Sequence, residues 1–182
     1  MKYSRSQLAK FLPDNESIRL FEDIMNTAER AVNTAERAVN TAERADINAG
    51  NVLVLSADVS NSTTTLVDVL SIPVAGGAIY RFEFTSIYTG TDGCRWTVDG
   101  VAFDLLSYTS DYALSATART VNNASAYGVP AAANASTVPG ISRVFGIIKP
   151  TVNGTLKLQM ASDGVGPITA KAGSFVNWSK IA

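Results

Sequence analysis

The stretch "NTAERAVNTAERAVNTAERAD", residues 26–46, states one seven-residue unit nearly three times. A helix packed in a core meets different neighbours at every turn and has no use for such copying. A repeat of seven suits a helix whose surroundings also repeat: a partner helix, and above all a copy of itself. The phase can be read directly. With Val32 at heptad position a, Ala35, Val39 and Ala42 fall at d, a and d, and the frame extends back through Ala28 and Met25 to Phe21 and Ile18. These seam positions are all apolar and are spaced alternately by three and four, the pattern of a left-handed supercoil. Glu29, Glu36 and Glu43 fall at e, Arg30, Arg37 and Arg44 at f, and Asn and Thr at b and c of the copied units. No Gly or Pro interrupts residues 14–49, and Ala, Glu and Arg are good helix formers. The frame ends on the charged Asp46, and Gly50 supplies a C-terminal stop. From residue 18 to 46 the rod spans about 43 Å at about 1.5 Å per residue.

The competing reading is a single amphipathic helix laid on its own domain; the literal repetition favours the coiled coil. Strand number is left open. The rule that couples β-branched a positions to two strands needs Leu at d, and d is Ala here. Ala31, Ala38 and Ala45 at g widen the apolar face, which suits three chains around a narrow axis as well as two. So small a seam stabilises each layer little, and the rod is expected to depend on an oligomeric unit at its end.

Composition narrows the function. Of 182 residues, 46 % are apolar and 17 % charged, enough for a real core with fewer charges than usual. The charge is lopsided: 15 of the 31 charged residues fall in the first 46 positions, a quarter of the chain. A net charge of −1, with no basic stripe, argues against nucleic acid. "MKYSRSQLAKF" lacks the apolar region of a signal peptide, and no run of eighteen apolar residues exists for membrane insertion. The lone Cys94 excludes an intrachain disulfide. Histidine is absent altogether, which removes serine triads, Cys–His pairs and the usual zinc sites. No phosphate-binding loop, GxGxxG or EF-hand loop is present. Asp99 and Asp104 form the nearest approach to a carboxylate pair, but Asp99 sits in a turn signal. No catalytic, cofactor-binding or metal-ligating residues are assigned, and the chain is not expected to be an enzyme.

After Gly50 the period changes from seven to two. "AIYRFEFTSIY", residues 78–88, sets Ile79, Arg81, Glu83 and Thr85 opposite to Tyr80, Phe82 and Phe84. Gly76-Gly77 marks a turn before it. Asp99-Gly100 and Asn153-Gly154 each stand between apolar arms and predict tight β-hairpins, and Asp163-Gly164 marks a further loop. Residues 115–140 are irregular and read as a long loop with a short strand near Arg119 and a possible role in partner contact. The fold class is therefore α + β segregated: an N-terminal α-helical coiled-coil stalk, then an antiparallel β-sandwich of jelly-roll-like type.

The order of an N-terminal segment, a heptad rod and a compact β-domain resembles bacteriophage fibre proteins. "SRSQLAKFLPDNESIRLFEDI", residues 4–24, is similar to the leading segment of many phage structural proteins. "LVDVLSIPVAGGAIYRFEFTSIYT", "SRVFGIIKPTVNGTLKLQMAS" and "ITAKAGSFVNW" are similar to a small domain at the tips of such appendages. The resemblance implies a homotrimer on the virion, assembled in the host cytoplasm. Residues 1–17 would anchor it to a capsid or neck protein, 18–49 form the stalk, and 50–182 project as the tip. The anchoring residues it implies are Phe11, Leu12, Pro13, Ile18, Arg19 and Phe21. The residues themselves also allow "FLPD" to be a helix start, with Asp14 as the cap. The short length favours a head fibre or decoration protein. The alternative is a receptor-binding tail-fibre type or carbohydrate-binding module on a stalk. Its partner would be a host cell-surface glycan, stacked on Trp96, Trp178, Tyr88, Tyr108, Tyr112 or Tyr127. For each of these aromatics a core or interface role is the commoner one.

Overall fold

A computed structural model of the chain describes residues 14–48, 50–91, 93–113, 117–129, 140–164 and 166–182, with the backbone alone for residues 40–48. The chain divides into two compact units, Met1–Asp46 and Ile47–Ala182.

In the first unit, helix α1 runs without a break over Asn15–Asn48, 34 residues. Asp14 starts it. Its carboxylate accepts the Ser17 amide at 2.7 Å and the Ser17 hydroxyl at 3.1 Å, which satisfies an N–H that has no partner inside the helix. These two bonds hold the Asp14 carboxyl below its ordinary value of 3.8. The start signal read in "FLPD" is thus in use. Thr27 and Thr34, at heptad position c, return their hydroxyls to the carbonyls of Asp23 and Arg30, each at 2.8 Å, so neither leaves a polar group unpaired along the rod.

Beyond the end of α1, the regular structure of the second unit among the described residues is β-strand. Its strands are β1 (Asn51–Val54), β2 (Val59–Asn61), β3 (Val67–Val74), β4 (Tyr80–Gly90), β5 (Cys94–Gly100), β6 (Phe103–Ala113), β7 (Arg119–Ala124), β8 (Gly140–Pro150), β9 (Gly154–Ser162), β10 (Ile168–Ala170) and β11 (Phe175–Lys180). All recorded pairs are antiparallel. The larger sheet runs β1-β11-β4-β8-β6-β7, with β10 continuing along β4 beyond β11 and β2 pairing β10. The smaller runs β3-β9-β5. Between them lies one core. Phe82, Phe84, Tyr108, Val144, Ile148 and Val176 enter it from the larger sheet, and Leu70, Ile72, Trp96, Val98, Leu156, Leu158 and Met160 from the smaller. The expected class is met in its coarser part, an N-terminal helix and an antiparallel β-sandwich.

The expected hairpins are not formed. Asp99-Gly100 closes β5 ahead of β6, and Asn153-Gly154 opens β9 after β8, yet the strands of each pair lie in different sheets. Gly76-Gly77 likewise carries the chain from β3 in the smaller sheet to β4 in the larger. A turn signal fixes where the chain bends, whereas the packing of the two sheets decides where it lands. Among the described residues Gly77 has φ +81° but neither Gly100 nor Asn153-Gly154 adopts positive φ, so the tight primed turn that the dipeptides suggested is absent. Asn153 instead accepts the Gly76 amide at 2.9 Å, which ties two of these crossings together. The strand expected near Arg119 is β7, paired to β6; residues 130–139 of the irregular stretch lie outside the described residues.

Candidate functional site

Two surfaces stand out, one on each unit. On α1 the seam residues Met25, Val32 and Val39 are 44 %, 57 % and 57 % exposed. Ala28 and Ala35 are exposed with them, Phe21 is half-buried, and Ile18 is buried. The Ala42 side chain, and Phe11, Leu12 and Pro13, lie outside the described residues, while Arg19 is exposed. Val32, Ala35, Glu36 and Val39 enclose a shallow hollow. In the heptad frame these are a, d, e and the next a, the four corners of a hole that receives a d-position knob from a facing helix. A second hollow, bounded by Asp23, Ile24, Thr27, Ala28 and Ala31, extends the apolar face towards the g side. Leu20 and Ile24 are exposed there at 62 % and 56 %, and the seam frame had left both out.

On the β unit the surface is the outward face of the larger sheet. Alternation buries one side chain and exposes the next, so the register gives this face row by row. One row runs Val52, Asn177, Glu83, Phe145, Thr109, Asn123 across β1, β11, β4, β8, β6 and β7. The next runs Val54, Phe175, Thr85, Arg143, Asp111, Val121. Four of its charges are paired within the chain, while Arg81, exposed in the row of Ser179, Ile147 and Ser107, forms no ion pair among the described residues. Arg143 Nε donates to Glu83 at 2.9 Å, and Arg119 Nε to Asp111 at 2.7 Å. The Glu83 hydrogen bond and charge, together with the Asp111 charge, raise the Arg143 pKa. Glu83, Arg143, Asp111 and Arg119 thus alternate in sign over four neighbouring strands. The Arg143 guanidinium also lies 5.8 Å from the Phe145 ring centre. An open cleft of about 540 Å³ crosses the face between Asn177, Glu83, Phe145, Ile147 and Thr109.

The aromatic residues considered for sugar stacking are mostly elsewhere. Tyr88, Trp96 and Tyr112 are fully buried and Tyr108 nearly so. Tyr127 meets Phe103 edge-on at 5.0 Å and donates its hydroxyl to Val101 O at 2.7 Å. Trp178 is half-buried against the core and borders the cleft. Phe145, the aromatic residue most open in the cleft, was not singled out from sequence. Its neighbours Val144 and Ile148 are as apolar as Phe145 and Ile147, so alternation in "RVFGII" does not tell inside from outside. Among the described residues no group of three metal-ligating side chains converges, and no helix is long and apolar enough to cross a membrane.

No family model matches the chain, and no curated protein does. Among solved structures, that of infectious bursal disease virus, Gx strain, overlaps at TM-score 0.33 and 8 % identity, covering 74 % of this chain and 38 % of that one. The Clostridium thermocellum N-terminal endo-1,4-beta-D-xylanase 10B, its CBM22-1–GH10 modules complexed with xylohexaose, overlaps at TM-score 0.29 and 13 % identity, covering 75 % and 27 %. The infectious bursal disease virus VP2 subviral particle gives 0.25 and 6 %, covering 72 % and 40 %. The chain therefore spans well under half the length of each. Overlaps at this level establish neither a common fold nor a shared activity.

Proposed function

We propose that the chain is a non-enzymatic structural fibre of a virion. Its helices associate as a homotrimeric stalk, its N-terminal segment anchors it to a capsid or neck protein, and its β unit projects outward as a head-fibre or decoration tip. The observation that carries this reading is the hollow of Val32, Ala35, Glu36 and Val39 on an uninterrupted 34-residue helix. A lone chain leaves this apolar seam in water, whereas a facing copy fills it with its own Ala or Val. The second hollow beside Ile24 and Ala31 gives the helix a face wide enough for two partners, which favours three strands over two. The phage context comes from the resemblance of residues 4–24 and of the β-domain phrases to phage structural proteins. The receptor-binding alternative is weakened by the burial of Trp96, Tyr88, Tyr108 and Tyr112.

Sedimentation equilibrium of the full chain tests the reading. The expected mass is three times 19.2 kDa; a dimer would correct the strand number, and a monomer would end the proposal. Val32→Asp with Val39→Asp brings like charges from every chain together in two a layers, at a cost of several kcal/mol per buried ion. Helical circular dichroism should fall. Asn26→Asp with Asn33→Asp, on the solvent side of the frame, should leave it nearly unchanged.

A further inference from the structure

We infer that the outward face of the larger sheet is the surface on which the β units of neighbouring copies pack against one another; this rests on the self-associating stalk proposed above and names a second place where copies meet. Val52, Val54, Ile87, Ile141, Phe145 and Ile147 all lie on that face, between 38 % and 62 % exposed. A monomer seldom displays so many large apolar side chains together, and such a patch marks an interaction site. The smaller sheet provides the contrast within the same unit. On β3, β5 and β9 no large apolar side chain is exposed, and Asp68 instead takes Lys157 and Gln159, each at 2.7 Å. One face is finished for water and the other is not.

The occupant follows from the charges. Glu83, Arg143, Asp111 and Arg119 neutralise one another inside the chain. A partner that lands there meets one unpaired cation, Arg81, and otherwise must bring apolar surface. Interface cores have this composition, poor in unpaired charge. The same face on another copy answers the description. Chain connectivity adds a second argument. Val52 and Val54 belong to β1, and only residues 49 and 50 separate β1 from α1. Whatever draws the helices together raises the local concentration of the β1 strands.

The test uses the full chain. Ile141→Lys with Ile147→Lys places two cations on the face. Both side chains point away from the core, so the near-ultraviolet dichroism from Trp96 and Trp178 should be retained. Self-association should weaken by at least about thirty-fold, the loss expected of central interface residues. A thiol probe reads the face itself. Cys94 is fully buried and its burial pushes the thiol up to about 11, so it stays silent to maleimide. Ser107→Cys, on the outward side of β6, should be protected in the oligomer and label several-fold faster once Val32→Asp with Val39→Asp disperses the copies. Labelling as fast in the intact oligomer as in a dispersed chain overturns the inference and leaves the stalk reading standing. A monomeric unsubstituted chain overturns both. Capture on a glycan array that Phe145→Ala abolishes, with Ser107→Cys labelled freely in the oligomer, would overturn it too and give the face to a ligand.

Discussion

The hydroxyls of Thr97 and Tyr108 lie 2.9 Å apart, and both donate to the carbonyl oxygen of Val129. Thr97 stands on β5 of the smaller sheet and Tyr108 on β6 of the larger. Tyr108 also reaches Ala126 O at 3.0 Å, so one partly buried polar knot joins both sheets to the segment after β7. Tyr108→Phe removes its shared donor. The expected loss is about 0.5–1.5 kcal/mol, read from urea unfolding. Combined with Thr97→Val the losses should fall short of their sum, because the two hydroxyls share Val129; strict additivity would dissolve the knot.

Gly146 holds β8 against β6. It stands opposite Tyr108 in the register, and a Cβ there would come within 2.7 Å of the Tyr108 Cα. That atom is backbone and cannot swing aside. Gly146→Ala should therefore part the two strands and destabilise the β unit by about 1–3 kcal/mol, as overpacking does. Amide exchange along β6 should quicken while α1 is unaffected.

Alkali should destabilise the β unit through one buried acid, Cys94, and one half-buried acid, Tyr127. Burial first and the Asp99 carboxylate second push the Tyr127 phenol from 10.0 up to about 12. Burial raises the Cys94 thiol from 9.0 to about 11. Each fold-state value lies above its unfolded one, so the unfolded chain gives up its proton first. The stabilisation is complete below 9.0 and 10.0 and is lost as pH climbs through about 11 and about 12. Urea midpoints should decline across that window, and Tyr127→Phe should flatten the upper part of the decline.

Anchoring separates from folding at the start of the chain. A chain beginning at Pro13 loses Phe11 and Leu12 but keeps Asp14, whose two bonds to Ser17 start the helix. It should retain its helical dichroism and its oligomer yet fail to join particles. Normal incorporation would move the anchor elsewhere.

How far the sequence could be read depended on whether the signal was local. The helix, its cap at Asp14 and the alternation of Arg81 and Glu83 against Phe82 and Phe84 are each set within a few residues, and the structure keeps them. The sheet order is not local. Nothing near Asp99-Gly100 or Asn153-Gly154 says that the next strand belongs to the other sheet, because that follows from which faces are apolar over the whole unit. The outward face was hidden for the same reason: Phe145 and Ile147 look like core residues beside Val144 and Ile148. Tyr108 and Trp96, named as ligand candidates for their chemistry, are held inside by their bulk.

The pairing of Asn51 with Trp178 sets an order on biosynthesis. The first strand to leave the ribosome waits for the last, and β3 waits for β9. Long-range pairing of this kind closes slowly. Helix α1, by contrast, is finished before any strand exists, so on the proposed stalk reading nascent chains made side by side would meet through their helices while their sheets are still open. A seam of valine and alanine would then have a use that a leucine seam would lack. Chains that met out of register would part and try again before β11 completed the sheet.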